Sequence, residues 1–161
     1  MTCAPGMARG AIIIATMSSA FRVRRADWGR DREHLRRVRE AVFVREQNVP
    51  SALEWDGSDA DCMHVLAEEE PGAPIGTGRL LPDGHIGRLA VLARWRRSGV
   101  GSAILLELLQ WAAERGMTEV VLNAQTHALE FYRRHGFLEE GQVFLDAGID
   151  HLRMRRALGK H

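Results

Sequence analysis

The chain has 161 residues, of which 45% are hydrophobic and 27% charged, with a formal net charge of +1. That length suits one domain with a real core, and the balance excludes a disordered polyelectrolyte and gives no basic excess for nucleic acid. The only cysteines, Cys3 and Cys62, make neither a disulfide framework nor a metal site, and such usage fits a reducing cytoplasm.

Residues 1–20 hold one apolar stretch, Ala11 to Ala15, which is too short for a signal core or a membrane span. They are expected to be a flexible extension, with Met17 an alternative start, and no other window reaches membrane-spanning length. A single folded domain is expected over 21–158, followed by a tail at 159–161. FRVRRA (21–26) reads as a first strand. Over 31–47, Leu35, Val38, Val42 and Phe43 recur at helical spacing, with Asp31 as the expected cap. NVPSALEWDGSDAD, with Pro50, Gly57 and several acids, is a loop with room for one helical turn. CMHVLAEE, PIGTGRLLP and HIGRLAVL follow as an antiparallel meander, with DG marking the second hairpin.

GSAILLELLQWAAERG carries apolar residues at 104, 105, 108, 109, 111 and 112, the wide stripe of a helix packed on a sheet, and Gly116 stops it. TEVVLNA is a short central strand. THALEFYRRHG is a short helix with Thr126 as the expected cap and Gly136 as its stop. FLEEGQVFLDAG and IDHLRMRRAL close the chain as a strand pair. The order β α β β β α β α β β describes an α/β sandwich with a mixed, mostly antiparallel central sheet flanked by helices.

RRSGVGS (96–102) stands between the strand RLAV and the long apolar helix. The first amides of a helix have no internal partners, and the helix dipole adds positive potential, so both favour an anion there. Glycines at 99 and 101 let phosphate oxygens approach the backbone, and Arg96 and Arg97 supply charge-assisted contacts. A plain strand-to-helix turn with solvated arginines would use the same residues. A Walker loop is excluded because the segment contains no lysine, and a dinucleotide fingerprint because the third glycine is absent and several strands precede the loop.

Arg96-Arg97-Ser98-Gly99-Val100-Gly101 resembles the acetyl-CoA loop of the GNAT N-acetyltransferase superfamily, written Q/R-x-x-G-x-G/A. The segment VVLNAQTHALEFYRRHGF resembles that superfamily's following strand and helix. REAVFVREQNVP, EWDG, GRLAV and GIDHLRM extend the resemblance to its ElaA-like branch over residues 34–155. The resemblance implies a GNAT-type fold and acetyl-CoA as cosubstrate, entering between two splayed parallel strands. The backbone of Leu89, Ala90 and Val91 would pair with acetyl and pantetheine groups. Arg96, Arg97, Ser98, Gly99, Val100, Gly101 and Ser102 would hold the pyrophosphate, with Asn123 and Phe131 against the pantetheine arm.

Acetyl transfer needs the neutral amine, yet an alkylamine of pKa near 10 is only about 0.1% neutral at pH 7, an obstacle of roughly 4 kcal/mol, so a base is valuable. Tyr132, the only tyrosine, aligns with the general acid of many relatives. His85 is the candidate base. Glu46, Asp56, His127 and His151 are candidate acceptor contacts, and the acids Glu54, Asp56, Asp59 and Asp61 would suit a cationic amine. Arg79 and Arg88 would either bind a carboxylate or pair with those acids. The resulting expectation is an N-acetyltransferase acting on a small primary amine, without metal, nucleic acid or membrane. The alternatives are a non-catalytic acyl-CoA-binding module and a protein lysine or N-terminal acetyltransferase. Homodimerisation is compatible with edge strands that must be covered, although no feature specifies it.

Overall fold

The computed structural model describes residues 11–15, 20–70 and 72–159. Strand β1 (Ala11–Ala15) runs antiparallel to β2 (Ala20–Ala26). The flexible extension expected over 1–20 therefore contains a strand, while 1–10 and 16–19 lie outside the described residues. Three β-branched isoleucines favour that pairing. β3 (Met63–Glu69), β4 (Ala73–Leu80) and β5 (Ile86–Val91) continue the sheet in the order β1-β2-β3-β4-β5, all antiparallel. A second sheet is ordered β6-β8-β7, from β6 (Glu119–Gln125), β7 (Leu138–Asp146) and β8 (Ile149–Ala157). This is the mixed α/β architecture read from the sequence, with one strand added at the front.

Helix α1 (Trp28–Arg39) starts earlier than Asp31, and Asp27 caps it by accepting from the Arg30 amide at 2.9 Å. Asp31 is instead forked by the Arg24 guanidinium at 2.8 and 3.1 Å, a tertiary bond that the local pattern does not announce. The helix runs on as a π-helix over Glu40–Glu46, a widened turn of the kind often found at functional sites. A single turn, α2 (Ser51–Glu54), follows in the loop. Every position of β4 after its first residue is buried, so both faces of the sheet are covered.

α1 lies against β4 and β5, whereas α3 (Val100–Glu114) crosses β2, β3, β4 and β5. Gly76 and Gly78 allow α3 to sit close, because a Cβ at either would come within 2.8 Å of Ile104 or 2.9 Å of Leu108. Ile104, Leu105 and Leu108 are fully buried, each contributing about 1.5–3 kcal/mol. That packing fixes where the helix begins. The segment after β6 is shorter as a helix than expected: a 3-10 turn at Thr126–Ala128 leads into α4 (Leu129–Arg134), and Thr126 makes no capping hydrogen bond.

Candidate active site

The two sheets meet at one parallel bridge, His85 to Val121, with the Val121 amide donating to the Gly84 carbonyl at 3.1 Å. Beyond it β5 and β6 form no further bridge among the described residues, so the strands diverge towards Val91 and Gln125. The divergence coincides with a bulge. Arg79 faces Gly87 and Thr77 faces Ala90, which leaves Arg88 and Leu89 opposite Gly78, and Arg88 takes φ 50°. A bulge bends and twists its strand. The β5 edge that faces β6 is thereby left without a strand partner at Leu89 and Ala90. The Val91 carbonyl accepts from Arg96 Nε at 3.0 Å.

At the open end of the splay, α3 begins. Gly99 caps it in the left-handed region (φ 91°, ψ 0°), with no side chain serving as cap, and a Cβ there would meet nothing within 4 Å. The first-turn amides are therefore free of intrahelical partners beside open space. Gly101 is different: a Cβ would stand 3.4 Å from the Phe131 ring and 3.8 Å from Val91. Glycine thus leaves free the space that a methyl would fill between α3, the end of β5 and α4. A diphosphate at the Gly99 amides and a slender arm past Gly101 fit these residues.

The two arginines of the loop have different fates. Arg96 is forked onto Glu46 with two 2.7 Å bonds, which lower the Glu46 carboxyl pKa. Arg97 is exposed, has φ 64°, and makes no ion pair or side-chain hydrogen bond among the described residues. Arg97 is the guanidinium available to an anion. Ser98 donates to the Trp95 carbonyl, and Ser102 Oγ lies 3.0 Å from His135 Nε2, so both hydroxyls are engaged within the chain.

Glu46 and Gln47 together span the open end. Glu46 holds Arg96 on the β5 side, while Gln47 and Gln125 exchange two amide hydrogen bonds of 2.9 and 3.1 Å on the β6 side. The exposed His127 is close enough to lower the Glu46 pKa further. His151 pairs in register with Gln125, bonds the Ile149 carbonyl through Nδ1 at 2.7 Å and stacks on Phe144. Asn123 is exposed on β6 and lines a shallow basin of about 460 Å³ with Glu140, Gly141, Gln142, Phe144 and Arg153. Alternation along β6 puts that basin on the same sheet face as Gln125.

Tyr132 follows Phe131 on α4, edge-on to the Phe131 and Phe137 rings at 5.0 and 5.8 Å. Burial pushes its phenol well above the usual value, so it is protonated at neutral pH. His85 is not brought to this end. It occupies the closed end of the β5–β6 pair, half-exposed in the turn, with Nδ1 3.0 Å from Asp83. Arg88 stands three strand residues further on, about 10 Å away.

The acidic loop also departs from expectation. Asp56 is bonded by Arg79 at 2.6 and 3.1 Å and by Arg88 at 3.3 Å, which holds its carboxyl far below the ordinary range, so it is not a free acceptor contact. Arg39 bonds Glu54 at 2.8 Å and Asp59 at 2.7 Å, and Arg79 bonds Asp59 at 2.8 Å. Arg39 is 1% exposed and Glu54 2%. Arg79 and Arg88 thus pair with the acids, closing a network of three arginines and three carboxylates. His64, its pKa lowered by burial, seals the base with Nε2 2.8 Å from the Asp59 carbonyl. Arg39 was absent from the sequence-based candidates, yet it occupies a core position of the 35, 38, 39, 42 stripe. A charge at that position was the available signal.

A splayed strand pair beside a glycine-capped helix start is the arrangement that the sequence's resemblance to acyltransferases implied. The family model described as "Acetyltransferase (GNAT) domain" matches residues 31–158, and the chain belongs to that superfamily. It is 43% identical to the uncharacterised N-acetyltransferase YjcF of Bacillus subtilis over 124 residues, 74% of this chain and 87% of YjcF. Among solved structures, Escherichia coli ElaA matches with a TM-score of 0.75 and 28% identity, covering 83% of this chain and 98% of ElaA. An acyl-CoA N-acyltransferase from Pseudomonas aeruginosa matches at 0.73 and 32% identity, covering 84% and 98%. The chain is therefore an acyltransferase of GNAT type, as its loop and ElaA-like segments implied. No helix among the described residues is long and apolar enough to cross a membrane.

Proposed function

We propose that the cleft between β5 and β6 binds acetyl-CoA and that the chain transfers the acetyl group to the primary amine of a small molecule. The observation that carries this reading is the Gly99-capped start of α3, open and adjoining a stretch of β5 with no strand partner on its β6 side among the described residues. The thioester supplies an activated acyl group. Backbone groups at Leu89 and Ala90 would meet an amide-bearing arm as an added strand meets a sheet edge. Arg97 and the amides of Gly99, Val100 and Gly101 would hold the diphosphate, while Phe131 walls the space beside Gly101.

Transfer forms an N–C bond and breaks a C–S bond; the amine gives up a proton and the departing thiolate gains one. Tyr132 is the proposed donor, since it aligns with the general acid of many relatives and a phenol is protonated at neutral pH when the thiolate leaves. Glu46 and His127, beside the open end, are the proposed contacts for an incoming ammonium, with His151 at its edge. Arg96 serves to fix Glu46 and to cap the Val91 carbonyl.

Isothermal titration with acetyl-CoA tests the cleft, and absence of binding at submillimolar concentration defeats the proposal. A screen of amines read by thiol release then identifies the acceptor. Tyr132→Phe is expected to leave acetyl-CoA binding unchanged and to lower kcat at least tenfold. An unchanged kcat removes the acid role and spares the rest.

A further inference from the structure

The β5 bulge carries its left-handed conformation on an arginine. A bulge of this kind is easiest with glycine, because a Cβ crowds the backbone at positive φ. Glycine is available one residue earlier, at Gly87, with nothing within 4 Å of a Cβ built there. Even so, Arg88 takes φ 50°. Something must hold it in place.

The holder is its own side chain. The Arg88 guanidinium reaches out of β5 to α2 and the residues after it, 3.1 Å from the Glu54 carbonyl, 3.1 Å from Glu54 Oε2, 3.3 Å from Asp56 Oδ2 and 3.4 Å from the Leu53 carbonyl. Those partners are themselves fixed. Arg39 bonds Glu54, Arg79 bonds Asp56, and Asp59 joins Arg39 to Arg79. A buried ion network offers little stability that apolar side chains could not also give; its better-attested use is to fix one geometry.

We propose that Arg88 is a positioning residue for acyl transfer: tied to Glu54 and Asp56, it keeps the bulge in the conformation that aims the backbone at 89–90 into the splay. The grip on the acetyl carbonyl is thus set from the loop on the α1 side of the sheet. This rests on the reading of the cleft as the acetyl-CoA site.

Acetyl-CoA and CoA share the diphosphate and the arm, and only the former has the thioester carbonyl, so their affinity ratio reports the bulge separately from the rest of the cleft. Calorimetric Kd values for both ligands should show that the wild-type chain prefers acetyl-CoA. Arg88→Met should reduce that preference at least fivefold, with CoA affinity within twofold of wild type. Arg88→Gly, free to take positive φ without a tether, should recover part of it. Should Arg88→Met fail to fold by circular dichroism, Asp56→Asn is read in the same way. A ratio unchanged in the variant, an equal loss of both affinities, or no wild-type preference overturns the assignment of Arg88. A wild-type chain that binds neither ligand overturns the underlying acetyl-CoA reading, and this one with it.

Discussion

Two charged segments flank the cleft, and the fold treats them in opposite ways. The loop at 51–61 carries Glu54, Asp56, Asp59 and Asp61, and three of these are matched by arginines from α1, β4 and β5. The loop at 96–102 carries two arginines and keeps one, Arg97, without a partner among the described residues, beside open helix amides. Both look like ligand sites when read as strings of charge. Only the second remains open, because the partners of the first come from elsewhere in the fold. A binding site is charge that folding leaves unpaired.

The largest expected effect separates the two in stability. Arg39→Met removes a fully buried member of the network and leaves the buried Glu54 and Asp59 short of a partner, at a cost of about 3–5 kcal/mol. Urea denaturation should register this as a lower midpoint with an unchanged slope. Arg97→Ala should leave the midpoint where it was. Equal midpoints for Arg39→Met and wild type would remove the distinction between the loops.

Ligand binding should reverse the order. Arg97→Ala is expected to weaken CoA affinity about tenfold, the effect of one charge-assisted hydrogen bond. Arg96→Ala should weaken it less than threefold, since that guanidinium is already held by Glu46 and the Val91 carbonyl. Titration of both variants at one salt concentration decides the matter, and the opposite ranking would show that CoA draws Arg96 away from Glu46.

Element order from β2 onward, the main helix and the glycine-arginine motif at 96–102 were legible in the sequence, because each depends on local periodicity or on a short motif. The rest depended on tertiary partners. Asp31 has the chemistry of a cap, but Arg24 on the neighbouring strand claims it and Asp27 caps the helix instead. Arg79 and Arg88 could have met a carboxylate ligand or the chain's own acids, and only the approach of α2 to β5 decides which. His85 lies in the strand that leads to the bulge, yet its place at the closed end follows from where β6 first touches, which no local pattern encodes. The strand at Ala11–Ala15 exists through its antiparallel partner β2, and a five-residue apolar stretch carries no local sign of that pairing.

A smaller effect probes the space beside Gly101. Gly101→Ala adds a methyl 3.4 Å from Phe131 without requiring a left-handed backbone. Alanine favours the helix over glycine by up to about 1 kcal/mol, so the variant should melt slightly higher. The same methyl narrows the passage between Val91 and Phe131, and CoA affinity should fall several-fold. Stability and binding moving in opposite directions would mark a glycine retained for the ligand; both rising together would show that nothing passes that point.

The smallest effect is a pH signature of the paired loop. The Asp56 carboxyl is lowered from its ordinary 3.8 first by its hydrogen bonds from Arg79, against the opposing pull of burial. A depressed folded-state pKa means that the unfolded chain takes up the proton first as pH falls. The stabilisation from Asp56 is therefore complete above the ordinary value and drains away below it. Between pH 5 and 8 the melting temperature of the wild type should exceed that of Asp56→Asn by a constant margin, and the margin should shrink progressively below about pH 4. Arg97→Ala, with no carboxylate to lose, should follow the wild-type curve throughout. A margin that persists undiminished at pH 3 would mean that packing, not ionisation, fastens Asp56 to Arg79, and the acidic loop would then be held as an apolar one would be.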